Sequence, residues 1–600
     1  MNTFYIFFLF VLTSCFVKGD LPIHALMGDV SGIWKIKQTR KMSQNPEHCG
    51  GGIPNRNLDN LKPSIRNYER FLENEYGKLD TKIINLTLEK VKIINQEKPR
   101  DKWTYLSVRD YEKNEIIGTW TMVYDEGFEI RLNGSKYFAF FKYERKSNAH
   151  CPTSIEDKSY NDRDCYKTNP TQTHIGWVLD EKVNENKNEK KFHWGCFYAE
   201  KKESAPVSSF VLHNGRENKT NLEHSQEYHF EEKKKKNLPS IGRRSNYKKF
   251  RFSNLQKIYG STQTNLRDIY GSAGERKYAC RKKDLLNLKI RLTLPKEFSW
   301  GDPFNDENFE ENVDDQKDCG SCYSISSVYS LERRFEILFW KKYKKKVNMP
   351  RLSHQSILSC SPYNQGCDGG YPFLVGKHLY EYGIIPERYM HYENNDNNNC
   401  IMDMGNYNNL NEQNRNIKEI YYVSDYNYIN GCYECTNEYE MMNEIILHGP
   451  IVAAINATSE LLNFYNIDDK NLVYDILPKD THQVCDIHNK GFNGWQQTNH
   501  AINIVGWGEQ IINKDKIKND EPNNNYNNNN NNNDNNNDNN QTLIKYWIIR
   551  NTWGKKWGYK GYLKFQRGIN LAGIESQAVY IDPDFSRGYP KDILQSDLLG

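Results

Sequence analysis

Beyond residue 17, the 600-residue chain contains no apolar run long enough to cross a bilayer, which takes about 20 residues as a helix. That absence excludes a helical membrane span in the body of the chain. The one apolar segment, residues 4–17, is too short to span and is followed by Lys18-Gly19. Residues 1–19 therefore read as a secretory signal cleaved after Gly19, although the positive charge that usually precedes such a segment is missing. Charge of one sign is lacking as well: 81 Lys and Arg face 77 Asp and Glu, a net +4, so no general attraction to nucleic acid or acidic membranes follows. The lysine runs at 233–236 and 344–346 read as solvated faces or processing sites. Clustered metal ligands are also lacking. Cys432 and Cys435 form a C-x-x-C pair, but a zinc site needs two more ligands close by, and a lone pair of cysteines is weak evidence for metal or redox work, so no metal is expected.

What is present is enough apolar material for real cores, 37% with 13% aromatic, in a length of roughly three or four units of ~150 residues. Asparagine interrupts the globular pattern twice. The sequence between Asn394 and Asn416 is rich in it, and residues 519–541 form a polar tract with nothing to bury, which reads as a disordered surface insert. Sequons at Asn85, Asn133, Asn218, Asn456 and Asn540 fit a secreted chain.

The chemistry concentrates in three short segments. Gln316 and Cys322 stand six residues apart in Gln316-Lys317-Asp318-Cys319-Gly320-Ser321-Cys322. After them Ile325, Val328, Leu331, Phe335 and Leu338 recur at three- and four-residue steps, the buried face of a helix that Cys322 opens. A helix N-terminus and a nearby imidazolium can lower a thiol pKa by several units, which turns a poor nucleophile into a good one. The Gln316 amide, with the backbone N–H of Cys322, is placed to donate to an oxyanion. His500 lies in a β-rich run that ends in glycine punctuation, Thr498-Asn499-His500-Ala501-Ile502-Asn503-Ile504-Val505-Gly506-Trp507-Gly508, and is the candidate general base. Asn551, ahead of Trp553, is the candidate that orients its imidazole.

Upstream, residues 118–143 read as strands around turns, with Asn133-Gly134 as a hairpin signal, and the pattern continues through Gly176-Trp177-Val178 and His193-Trp194-Gly195-Cys196-Phe197. A small antiparallel barrel is the expected form.

The Cys, His and Asn segments, in that order, resemble those of papain-like cysteine proteases. The spacing from Cys322 to His500 exceeds the ~130–150 residues usual in that group, and insertions account for it. Gly127-Phe128-Glu129-Ile130, Tyr137-Phe138-Ala139-Phe140-Phe141-Lys142-Tyr143 and Asp20-Leu21-Pro22 with Trp34 resemble the exclusion domain of the cathepsin C, or dipeptidyl peptidase I, family. The resemblance implies an α+β chain. It would comprise a signal at 1–19, an antiparallel β-barrel exclusion domain at 20–203, an internal propeptide at 204–293 and a papain-like peptidase at 294–600. The peptidase would have two lobes, one helical and one a β-barrel.

By the same resemblance, the chain is a cysteine exopeptidase that releases dipeptides from free N-termini, with Asp20 holding the substrate amine. Chloride is implied near Tyr371, Phe373 and Tyr428, and disulfides are implied for Cys319 with Cys367 and for Cys360 with Cys400. A cut between heavy and light chains within 478–495, a homotetramer and a lysosome-like, vacuolar or secretory compartment are implied too. Cysteine arithmetic agrees with an oxidising compartment: of fourteen, Cys15 leaves with the signal and Cys322 must stay free, so an even number remains. Cys49, Cys151, Cys165 and Cys196 fall in the front part and could bridge there, whereas Cys280, Cys432, Cys435 and Cys485 have no assigned partner. Two other readings stay open: an endopeptidase of the same fold, and a secreted binding or scaffolding protein without turnover.

Overall fold

The structure, a computed structural model, describes residues 25–43, 46, 49, 65–93, 100–145, 166–184, 189–204, 294–397, 399–402, 417–433, 435–457, 459–465, 467–475, 498–513 and 541–596. The expected signal, Asp20, the bulk of the expected internal propeptide and residues 519–540 of the Asn-rich tract lie outside them, as do Cys151, Cys165, Cys280 and Cys485.

Among the described residues the front part forms nine strands: β1 (Gly32–Gln38), β2 (Asp80–Val91), β3 (Tyr105–Asp110), β4 (Ile116–Val123), β5 (Gly127–Leu132), β6 (Ser135–Arg145), β7 (Tyr166–Thr173), β8 (Gly176–Asn184) and β9 (Glu189–Ser204). Every pairing is antiparallel, and β1 pairs with both β2 and β9, so the sheet closes on itself. The ring runs through β6–β8 and β8–β9, with β7 extending the far end of β6. Closure leaves no open edge on this ring. The β5–β6 hairpin turns at Asn133 and Gly134, both at positive φ (45° and 83°), which is the backbone a tight hairpin demands and which Asn-Gly supplies. Trp34, Trp120 and Phe128 fill the interior, all 2% exposed or less, whereas Phe138 and Trp177, on the opposite face of the wall, pack against Tyr363 of the second part, and Cys49–Cys196 ties the ring to helix α1 (Ile65–Tyr76) through a shared cluster of buried side chains.

The second part is built on helix α2 (Cys322–Tyr343), flanked by α3 (His354–Cys360), α4 (Pro372–Glu381) and α5 (Glu438–His448). Against it lies an eight-stranded sheet of β10 (Phe298–Ser299), β11 (Val423–Tyr428), β12 (Ile451–Ile455), β13 (Val473–Tyr474), β14 (His500–Asn513), β15 (Gln541–Arg550), β16 (Tyr562–Gln566) and β17 (Ala578–Pro583). The Asn-rich tract leaves and returns at one paired position, Asn513 opposite Gln541. An insertion there lengthens a closed loop at small entropic cost and leaves the hairpin register alone.

Four of the five expected apolar positions of α2 are buried, but Leu338 is half-buried and Ile337 and Phe339 are buried in its place. The reason is that α2 runs between neighbours on several sides rather than lying on one surface, so no single face is privileged. Ser324, Ser326 and Ser330 are accordingly fully buried and donate to the carbonyls of His354, Ala501 and Pro450 at 2.8–3.0 Å. Each bond offsets the desolvation of a hydroxyl and stitches the helix to a different element.

The barrel and the second part are joined by buried polar groups. Arg131 donates to the Asp425 carboxylate and the Tyr426 carbonyl, and the Tyr426 hydroxyl donates to Glu129 at 2.7 Å. Arg100, in the turn before β3, reaches Glu444 and Asp582.

Burial also sets a pH dependence. Desolvation pushes His174 and His378 down to about 3, and His354 and His500 down to about 4. The unfolded chain takes up these protons below about pH 6.5 while the folded chain does not, so their stabilisation is complete above that pH and drains away as pH falls toward 4. Glu332 runs the other way, since burial raises it to about 8, and offsets part of the loss. Unfolding free energy from urea titrations is expected to fall by on the order of 3 kcal/mol between pH 7.5 and 5.5. His378→Phe, at a site where neither ring nitrogen has a hydrogen-bond partner among the described residues, should reduce that slope by one proton.

Candidate active site

Cys322 is the first residue of α2, unbridged and 6% exposed. The approach to it is clamped: Cys319 is bonded to Cys367, and the Gly320 N–H donates to the Cys367 carbonyl at 2.8 Å. A Cβ at Gly320 would stand 2.6 Å from that carbonyl oxygen, so glycine is required for the chain to pass so close. Cys360 is bonded to Cys400, and Cys432, which had no assigned partner in the sequence, is bonded to Cys435.

Gln316 is held at both ends of its amide. Its Oε1 accepts from the Thr552 hydroxyl at 2.6 Å, and its Nε2 donates to the Cys319 carbonyl at 3.1 Å, which leaves a second N–H on the same nitrogen. Its backbone N–H donates to the Thr552 carbonyl at 2.8 Å, so the segment before Cys322 is tied to the segment that carries Asn551.

His500 opens β14, and Asn551 follows the last residue of the paired strand β15. The antiparallel register sets Asn503 opposite Arg550, so the three residues back to His500 run alongside the three forward to Trp553. His500 Nε2 lies 2.7 Å from Asn551 Oδ1, and its ring stacks on Trp553 at 4.4 Å between centroids. The Thr552 backbone N–H donates to the same Oδ1 at 2.8 Å. An N–H cannot donate to an amide nitrogen, so the amide orientation is fixed, His500 Nε2 carries the hydrogen, and Nδ1 of the neutral ring is the basic atom. Thr552 thus positions both Gln316 and Asn551. Nothing in its local sequence marks it except adjacency to Asn551.

Cys322 and His500 line one cavity of about 90 Å³ with Tyr124, Tyr371, Phe373, Tyr428 and Gln577. Burial pushes the Cys322 thiol up to about 11, against N–H groups of the backbone at Ala501, Tyr323 and Cys322 that pull it down. Burial likewise holds the His500 imidazolium down to about 4, against the Asn551 bond. The expected lowering of the thiol by the helix N-terminus is therefore outweighed for the sulfur taken alone, because desolvation opposes any single charge here. Transfer of the proton from Sγ to the imidazole creates both charges at once, and each then stabilises the other.

The cavity also tests the implied halide. Phe373 lies in the first turn of α4, where a backbone N–H faces outward, and Tyr428 brings a hydroxyl, donors that suit a small anion. Tyr371 does not fit, since its backbone N–H donates to Asn364 Oδ1 at 2.9 Å and its hydroxyl donates to the buried Glu126 carboxylate. Tyr124 comes from the barrel: its hydroxyl donates to the Thr498 carbonyl at 2.7 Å, and its N–H donates to the Tyr428 hydroxyl at 2.9 Å. No sequence signal pointed to it. Asp20 lies outside the described residues.

Comparison with known proteins agrees with this architecture. The family model for papain family cysteine proteases matches residues 294–581, and that for the cathepsin C exclusion domain matches residues 20–201. Dipeptidyl aminopeptidase 1 of Plasmodium falciparum is 31% identical over 736 aligned residues, covering 99% of this chain and 98% of that one. The chain belongs to the cathepsin C branch of the papain family. Cathepsin C of Schistosoma mansoni is 27% identical over 482 residues, covering 78% and 84% of the two chains. Pro-cathepsin H of Bos taurus is 25% identical over 279 residues and covers only 46% of this chain. As a cathepsin C-type cysteine peptidase, the chain is an enzyme whose substrates are peptides, and no helix among its described residues is long and apolar enough to cross a membrane.

Proposed function

We propose that this peptidase releases dipeptides from free N-termini, working in a lysosome-like, vacuolar or secretory compartment. The observation that carries the reading is the barrel residue Tyr124, which lines the same cavity as Cys322 and His500 and bonds to Thr498, two residues ahead of that histidine. A barrel seated on the cleft shortens it and favours chain ends over internal bonds.

In this reading the Cys322 sulfur gives its proton to His500 Nδ1 and attacks the scissile carbonyl, forming a bond from sulfur to carbon. The oxyanion accepts from the Gln316 amide and the Cys322 backbone N–H. His500 then returns the proton to the leaving amine, an acyl-enzyme remains, and water activated by the same imidazole releases it. Asn551 keeps Nε2–H engaged throughout. The Asp20 carboxylate pairs with the substrate ammonium two residues before the cut. Chloride, when bound, would be held by the Phe373 N–H and the Tyr428 hydroxyl and would fix the charge of the pocket wall without entering the reaction.

The test compares a free dipeptidyl substrate with its N-acetylated twin. Loss of one charge-assisted pair predicts kcat/KM lower by roughly 10- to 100-fold for the capped form. Preference for the capped substrate would make the enzyme an endopeptidase of the same fold.

A further inference from the structure

The Cys432–Cys435 bridge does little for chain entropy, because it closes a separation of only three residues. Its position is more telling. It follows a tight turn in which Asn430 and Gly431 both take positive φ (69° and 93°), and a Cβ at Gly431 would stand 2.5 Å from the Thr104 carbonyl of the barrel. Between the two cysteines sits Tyr433, 2% exposed. Its backbone N–H donates to the Thr121 hydroxyl of the barrel at 2.9 Å. Its ring packs on Tyr428 at 5.4 Å and Tyr124 at 6.0 Å, and its hydroxyl accepts from Gln577 Nε2 at 3.1 Å. Tyr428, Tyr124 and Gln577 all line the cavity that holds Cys322 and His500. Cys432 is fully buried, whereas Cys435 is half-buried, so an attacking thiolate has one sulfur within reach.

We propose that Cys432–Cys435 is a reversible redox site, opened by a dithiol reductant, that sets the shape of the peptide-binding cavity through Tyr433. A thiolate of the dithiol attacks Cys435 Sγ, the bond to Cys432 breaks, and Cys432 leaves as a thiolate that takes up a proton. The second thiol of the reductant then resolves the mixed disulfide. The dithiol loses two electrons and closes to its own disulfide, and the pair gains them as two thiols. With the bridge open, Tyr433 keeps its hydrogen bonds but loses the covalent ring that pins it between the barrel and the wall aromatics. The cavity then adapts, which alters substrate binding more than the chemistry at Cys322.

The mature enzyme is activated with a monothiol until titration with an epoxysuccinyl probe counts Cys322 as fully free, and half is then treated with dithiothreitol. Differential alkylation and mass spectrometry should show Cys432 and Cys435 reduced while Cys319–Cys367 and Cys360–Cys400 stay closed. KM should move by roughly threefold or more with kcat within about twofold, the pattern of altered binding rather than altered chemistry. The double variant Cys432→Ser/Cys435→Ser should show the reduced-state KM and no response to dithiol. If that variant does not fold, the treated wild type decides alone. A pair that opens only with the other bridges, or that opens without moving KM, overturns the proposal. The comparison runs equally on a capped peptide, so failure of the exopeptidase reading would leave this test standing.

Discussion

Cys322→Ala is expected to lower kcat by about 10⁵- to 10⁶-fold, the scale seen when the nucleophile of a concerted triad is removed, while the unfolding midpoint changes little. The second half of that expectation comes from the site. The thiol is neutral and buried when taken alone, pushed up to about 11, so its removal strands no charge and deletes one small group beside an existing cavity. Residual activity would come from the oxyanion donors and substrate binding. Asn551→Ala should cost less than Cys322→Ala, because His500 remains and only its orientation loosens. Steady-state assays with thermal melts on the same samples check both halves. An alanine variant that retains more than about a hundredth of wild-type turnover would remove Cys322 from the nucleophile role. The pH profile of the wild type should report the Cys322–His500 pair as a unit rather than either group, since neither ionises alone in this cavity.

Much of the site was legible because each of its residues sits in a segment with its own local logic. Asn133-Gly134 dictates a two-residue turn whatever surrounds it, and the apolar spacing after Cys322 dictates a helix that begins there. The paired strands around His500 and Asn551 follow from β-branched and aromatic runs. The interface was not legible, because its members are ordinary charged residues until folding brings them together. Arg100 and Glu444 are 344 positions apart, and Arg100 and Asp582 are 482 apart. Arg334 looks like a solvent-facing helix residue in sequence, yet it is wholly buried. The same holds for the serines of α2, whose hydroxyls suggest exposure until the accepting carbonyls of His354, Ala501 and Pro450 are seen. Tyr433 and Tyr124 gain meaning only once two bodies meet across the cleft.

Glu444→Ala should destabilise the protein by about 3–5 kcal/mol, the range for breaking a buried ion pair by removing one partner. Glu444 is 0% exposed and accepts from Arg100 Nη2 at 2.6 Å and from Arg334 Nη1 at 3.0 Å, with His448 Nδ1 at 3.2 Å. Burial alone would raise its carboxyl, but Arg100, His448 and Arg334 hold it well below the ordinary range. Without it, Asp582 is left to serve two buried guanidiniums, accepting from Arg334 at 2.8 Å and Arg100 at 3.0 Å. Glu444→Gln keeps the volume and loses the charge, so it should fall near the alanine variant and show that electrostatics rather than packing is at stake. Because Arg100 belongs to the barrel while Glu444 and Asp582 belong to the catalytic part, the lost energy is concentrated at their junction. The barrel should therefore become the first segment released by limited proteolysis. Cleavage of the N-acetylated substrate should rise relative to the free one as the cleft opens. If urea midpoints of Glu444→Ala and wild type coincide, these charges contribute nothing to holding the barrel over the cleft.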